Sequence, residues 1–315
     1  MDIELVNPQL RDMVRRAPKV NVASGVMRVV GRLGSRYLVP AARVEGVSVK
    51  NVRAGGARLR LYVPDRCSGA GLVWIHGGGM VIGAPRQDDR FCAQTAARLG
   101  IVIVSADYRM APEHPYPVPQ QDCLAAWDWL QSNAASLRVA DDRIALGGGS
   151  AGGGLAASVA GMLSDRGARM PAALWLLYPM LDDRTAADTG LDALDHPIWN
   201  NTSNRVGWGA LLRGTAVPGD ANVPADAAPA RRDAVHGFPP TWIGVGSIDL
   251  FHHEDVEYAK RLQSAGVPTR LDLLPGAPHG FESLAPEAPV VESFIDGARD
   301  WLADSLGAAK SADGS

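Results

Sequence analysis

No stretch of the 315-residue chain approaches the ~20 apolar residues that a membrane-spanning helix needs, so no membrane insertion is expected. Cysteine is scarce. Cys67, Cys92 and Cys123 are odd in number, lack C-x-x-C spacing, and fall in what reads as one loop and two helices, so neither a disulfide framework nor a zinc cage is expected. Neither sign of charge dominates: 31 Lys and Arg stand against 34 Asp and Glu, a net charge of -3. That balance supplies no long-range field to gather DNA, RNA or an anionic membrane, and a nucleic-acid partner is not expected. The opening residues Met1-Asp2-Ile3-Glu4 lack the positive charge and apolar run of a secretory signal, which makes the cytoplasm the expected location.

What is present has the balance of a globular protein: 46% hydrophobic and 21% charged residues. A chain this long buries about three quarters of its unfolded surface, and one domain with insertions is expected. From Val44 to Val63 two segments alternate. Val47 and Val49 interleave with Ser48 and Lys50; Leu59, Leu61 and Val63 interleave with Arg58, Arg60 and Tyr62. Period two predicts half-buried strands, with Gly55-Gly56 as the hairpin turn. Six mostly continuous apolar runs follow: Leu72 to Ile75, Ile101 to Val104, Ile144 to Leu146, Leu174 to Leu177, Trp242 to Val245 and Leu271 to Leu274. Strands buried on both faces read this way, which predicts a mostly parallel sheet covered by helices.

Helical stripes lie between these runs. Phe91, Thr95 and Leu99 share a face ahead of Gly100; Leu124, Trp127 and Leu130 form another before Asn133; Phe294, Ile295, Ala298, Trp301 and Leu302 form a terminal one. The alternation predicts a doubly wound α/β fold over residues 44–182 and 239–307. Two regions break it. Residues 1–43 carry a short stripe (Leu10, Met13, Val14) and basic, Gly-rich connectors, while residues 183–238 are rich in Ala, Asp, Pro and Gly, with Trp199 and Trp208 as isolated large groups. The second is too long for a plain loop, and both are expected to form a cap over one end of the sheet. Residues 308–315 are expected to fray.

The chemistry-bearing residues follow strands. Gly148, Ser150 and Gly152 form G-x-S-x-G between a strand and the helical run Leu155 to Leu163. A serine on so tight a turn has strained backbone angles, and glycines two residues to either side let the chain pass closely enough. The same stretch admits a phosphate-cradling reading, since Gly147, Gly149 and Gly152 satisfy G-x-G-x-x-G; no Lys follows as in a nucleotide-binding P-loop. His76-Gly77-Gly78-Gly79 follows the first buried strand. It is either an ordinary glycine turn or a loop whose N–H groups converge to hold an oxyanion. A serine nucleophile also needs a base, and the base an orienting carboxylate. Asp249 follows the strand Trp242 to Val245, and His279 follows Leu271 to Leu274. Ends of parallel strands converge on one edge, so Ser150, Asp249 and His279 can meet. His76 is read as shaping the glycine loop. The run His252-His253-Glu254-Asp255 lacks H-E-x-x-H spacing and suggests no metal. The segment Asp107 to Pro115 is read as a structural polar loop whose charges pair with one another.

Together these residues resemble the hormone-sensitive lipase family of α/β-hydrolases, the bacterial family IV esterases. The likeness covers roughly Leu72 to Phe281, including Tyr178-Pro179-Met180-Leu181-Asp182. It implies an α/β-hydrolase fold with a helical cap and a cofactor-free carboxylesterase acting on a small ester. Ser150 would be nucleophile, His279 general base and acid, and Asp249 its orienter; Gly78, Gly79 and Ala151 would donate the oxyanion hydrogen bonds. Small, short-acyl esters are the expected substrates. The same triad serves amidases and peptidases, and the fold serves non-catalytic small-molecule receptors, which lack a complete triad. A homodimer is left open. The chain departs from the family at Gly149, where Asp or Thr usually precedes the nucleophile, and at Met80, where an aromatic often stands. It departs again at Leu250 to Glu254, where Pro-Leu-x-Asp-Glu is usual.

Overall fold

A computed structural model of the chain describes residues 2–17, 22–54, 57–194 and 196–308. Two helices, α1 (Arg11–Arg16) and α2 (Gly25–Leu33), precede the strands β1 (Val47–Ala54), β2 (Ala57–Pro64) and β3 (Gly71–Ile75). Then α3 (Asp89–Leu99), β4 (Val102–Asp107), α4 (Val118–Asn133), β5 (Ile144–Gly149), α5 (Ala151–Asp165) and β6 (Leu174–Leu177) alternate. An insertion carrying α6 (Asp183–Ala187) and α7 (Asn201–Leu211) leads to β7 (Thr241–Gly246), α8 (His252–Ser264), β8 (Thr269–Leu274), α9 (Phe281–Leu284) and α10 (Pro289–Leu306). The strands form one sheet in the order β1-β2-β4-β3-β5-β6-β7-β8. β2 runs antiparallel to β1 and β4, and the other pairs are parallel. The expected turn at Gly55-Gly56 lies outside the described residues.

The apolar runs become strands because successive side chains enter different cores. Val73 and Ile75, with Leu146, Leu176 and Ile243, pack on one face under α4, α5 and α8. Leu72 and Trp74, with Trp175, Leu177 and Trp242, pack on the other under α3 and α10. Each such side chain contributes about 1.5–3 kcal/mol by leaving water. Gly100 closes α3 with φ 62°, a left-handed conformation that stops the helix. Among the described residues, no helix is long and apolar enough to cross a membrane.

Five expectations need correction. The run Leu271 to Leu274, expected to be buried on both faces, lies in β8 at the edge of the sheet, where one face lacks a covering neighbour and Leu273 is 45% exposed. Tyr62, grouped with the outward arginines, is fully buried; α3 covers that face, and the hydroxyl donates to Asp89 at 2.8 Å. The Gly-rich connector contains helix α2, whose start is capped by Ser24 accepting from Met27 N. The charges of the Asp107 loop pair outward: Asp107 with Arg36 (2.6 Å), Arg109 with Asp122 (2.8 Å) and Glu113 with Arg32 (2.9 Å). Ala308 is buried and donates to Ala303 O at 2.9 Å; the rest of the expected frayed tail, residues 309–315, lies outside the described residues.

The chain's first residues also join the body. Val6 and Leu10 enter the second core, and Asn7 N–H donates to Gly276 O at 2.8 Å, just upstream of His279. Gly276 has φ 66°, and a Cβ there would stand 2.5 Å from Asn7 N.

Candidate active site

Ser150 sits between β5 and α5 with φ 58° and ψ -124°, a conformation costly for any residue bearing a Cβ. Its neighbours explain how the turn closes. A Cβ on Gly152 would lie 1.9 Å from Ile75 O, and one on Gly148 would lie 2.4 Å from Gly152 C. Only hydrogen fits at either place. The strained backbone is held by neighbouring strands, with Ser150 N–H donating to Leu177 O and Met180 N–H donating to Ser150 O, each at 2.9 Å. Gly149 differs, because a Cβ there would meet only Trp74 and Tyr178, at 3.7 Å.

The loops after β7 and β8 bring two distant residues to this serine. His279 Nε2 is 2.9 Å from Ser150 Oγ, and its Nδ1 is 2.8 Å from Asp249 Oδ2. All three side chains are buried. Asp249 is itself fixed, its Oδ1 accepting from Phe251 N–H at 2.9 Å. This placement lets the ring donate from Nδ1 to Asp249 and accept at Nε2 from the serine hydroxyl. The imidazole lies between Tyr178 (centroids 4.5 Å apart) and the edge-on ring of Phe251 (5.2 Å).

The glycine loop after β3 runs alongside. A Cβ on Gly77 would come within 3.2 Å of Ser150 Cβ, so the two backbones touch. Gly78 (φ 118°) and Gly79 (φ 59°) turn through conformations that favour glycine. Among the described residues, neither amide donates to a protein acceptor, and the Ala151 N–H opens α5, where no intrahelical acceptor exists. His76 holds the loop from beneath. It is fully buried, stacked on Tyr108 at 4.3 Å, and its Nδ1 lies 2.8 Å from Gly77 O. Burial pushes its pKa down to about 4, so it is neutral at neutral pH.

Other residues entered the site without a sequence signal strong enough to assign them. Tyr178, in the stretch quoted for the resemblance, takes φ 35° and donates its hydroxyl to Glu282, bracing the ring against His279. Trp199, an isolated tryptophan in sequence, lies over the glycine loop: a Cβ on Gly79 would stand 2.1 Å from its ring. Glu254, within the His-rich run, is buried and accepts from Leu181 N (2.7 Å), Asp182 N (3.1 Å) and the Thr185 hydroxyl. Burial raises its carboxyl well above the usual range. It therefore ties α8, beside Asp249, to the start of the insertion. Among the described residues, no cluster of three or more His, Cys, Asp or Glu side chains is placed to hold a metal.

Comparison with known proteins gives a consistent picture. Residues 72–283 match the protein family described as the alpha/beta hydrolase fold. Esterase LipI of Mycobacterium tuberculosis is 30% identical over 90% of each chain. Ethyl acetate hydrolase of Pseudomonas putida is 30% identical over 71% of this chain and 70% of its own. Among solved structures, one titled bacterial heroin esterase superposes with a TM-score of 0.90 at 33% identity, covering 97% of this chain and 99% of that one.

Proposed function

The chain belongs to the α/β-hydrolase fold family, among the hormone-sensitive-lipase-like esterases, and from that membership we propose that it is a serine carboxylesterase for small, short-acyl esters. The observation that carries this reading is the unbroken contact chain from Ser150 Oγ through the His279 ring to Asp249, at 2.9 and 2.8 Å. Ser150 Oγ attacks the ester carbonyl carbon as His279 Nε2 takes its proton. Asp249 holds the tautomer and stabilises the imidazolium that forms. The N–H groups of Gly78, Gly79 and Ala151 receive the negative charge on the carbonyl oxygen, each donor being worth about 2.7–4 kcal/mol in the transition state. Collapse expels the alkoxide, which takes the proton from His279 and leaves as alcohol. Water then attacks the acyl-enzyme with His279 again as base, releasing the acid and restoring the serine.

The described parts of residues 1–43 and 183–238 act as the cap, and Trp199 limits the room beside the glycine loop. That crowding, and the likeness to an ethyl acetate hydrolase, support the short-acyl preference. The test is a p-nitrophenyl ester series from acetate to palmitate on wild type and Ser150→Ala. Wild type should favour the short members, and the variant should lose at least ~10⁴-fold in kcat while folding normally. Turnover surviving Ser150→Ala would overturn the mechanism; preference for palmitate would overturn the substrate class.

A further inference from the structure

Helix α2 is built inside out. A surface helix ordinarily turns its apolar stripe to the core and its charges to water. Here the arginines one turn apart face the protein. Arg28 donates to Val22 O (2.8 Å), Arg32 donates to Val81 O (2.8 Å) and Ala111 O (2.6 Å), and Arg36, just past the helix, pairs with Asp107 at 2.6 Å. The opposite stripe points outward: Val26 is 72% exposed, Val30 and Leu33 52%, Tyr37 65% and Leu38 81%. Most of the large apolar side chains exposed among the described residues crowd this one segment. A contiguous patch of this kind marks a binding face.

The patch runs into a basic cleft. Tyr37 belongs to both, lining a cavity of about 410 Å³ with Arg36, Arg53, Arg58, Arg60 and Arg86. Arg53 and Arg58 are direct cross-strand partners on β1 and β2, and like charges set opposite each other destabilise a hairpin. Asp107 shares the cleft, but among the described residues no ion pair relieves either of them. Asp107, opposite Arg58 on β4, is taken by Arg36, and Asp89 is taken by Arg60 through bonds of 2.5 and 2.6 Å. Among the described residues, neither Arg53 nor Arg58 has a carboxylate partner. An unneutralised guanidinium pair in a concavity fits a phosphate group, whose oxygens match the guanidinium fork.

We infer that this face docks on an anionic phospholipid surface, α2 lying in the interface with its apolar stripe toward the acyl chains and Arg53 and Arg58 taking headgroup phosphate. Apolar burial joined to basic contacts is the combination that holds an interfacial helix on such a surface. A second copy of the chain suits the face less well, because pairing two α2 stripes would set two unneutralised clefts side by side. The chain's overall charge of -3 does not oppose docking, since charges beyond a Debye length of ~10 Å are screened while the cleft acts at contact.

The test is co-sedimentation with vesicles of phosphatidylcholine alone or mixed with phosphatidylglycerol. Wild type should bind the mixed vesicles at least about tenfold more tightly, and added salt should weaken that binding. Val30→Asp with Leu33→Asp, and separately Arg53→Glu with Arg58→Glu, should each weaken it about tenfold or more, with far-ultraviolet circular dichroism matching wild type as the check on folding. Ser150→Ala should bind as wild type does, so failure of the catalytic reading and failure of this one are separable. Three results would overturn the inference. One is equal binding, or none, to both vesicle types. Another is heat protection by inorganic pyrophosphate that is lost in the arginine variant while neither variant alters vesicle binding, which would make the cleft a site for free anions. The last is a wild-type dimer in sedimentation velocity that Val30→Asp with Leu33→Asp disperses, which would make the face a contact between copies.

Discussion

Two glycines three residues apart carry opposite consequences. At Gly152 a methyl group would collide with Ile75 O, so Gly152→Ala should cost about 3 kcal/mol or more, read as a lowered urea midpoint. At Gly149 a methyl group meets nothing closer than 3.7 Å, and φ is not among the positive values. Gly149→Ala should therefore raise stability by about 0.4–1 kcal/mol by restricting the unfolded chain, with esterase activity retained. The departure from the family at this position leaves usable space. His76 makes a pH prediction. Folded, it stays neutral down to about 4; unfolded, it takes a proton near 6.5. Its share of stability is present above pH 6.5 and drains as pH falls toward 4, because the unfolded state binds the extra proton. Urea unfolding of wild type and His76→Gln across that window should show the shallower pH slope in the variant. At this scale the sequence was readable wherever backbone geometry forces residue type, as at Gly148 and Gly152 around the serine. It was unreadable where a role depends on what packs above, as for Trp199 over Gly79.

Among the elements, the buried strands announced themselves because both of their faces meet apolar neighbours, leaving no polar alternation to confuse the pattern. Tyr62 in β2 misled for the converse reason: α3 covers a face that the flanking arginines made look wet. Helix α2 was obscured by Gly25 and Gly31, poor helix formers, and by Arg32 and Arg36, whose acceptors are carbonyls and carboxylates some 50 to 80 positions away, which no local pattern records. The insertion is tied down by Glu254 at its start and by Trp199 at the glycine loop. Trp199→Leu should enlarge the room beside Gly79 and raise kcat/KM for hexanoate relative to acetate about tenfold, measured with p-nitrophenyl esters.

In the whole molecule, one sheet orders everything: β4 lies between β2 and β3, and from β5 to β8 the strands follow chain order. Closure of the fold relies on few groups. Arg143, just before β5, donates to Leu306 O (2.7 Å) and Gly307 O (2.6 Å) at the end of α10 and to Ser68 O (3.0 Å). Arg143→Ala should release that end and lower unfolding free energy by about 2 kcal/mol, with kcat unchanged, as read by urea denaturation and a short-ester assay. Convergence of strand ends let Ser150, Asp249 and His279 be considered together from sequence; the distances among them depend on loops such as the one containing Gly276, whose packing is settled only in three dimensions.

The seam between Asn7 and Gly276 bears on how the protein should be handled. A purification tag or solid support at the N-terminal end would pull on the segment that is bonded to the chain three residues upstream of His279. Attachment beyond residue 308 instead loads the far end of α10, so a biosensor or flow reactor should be tethered there.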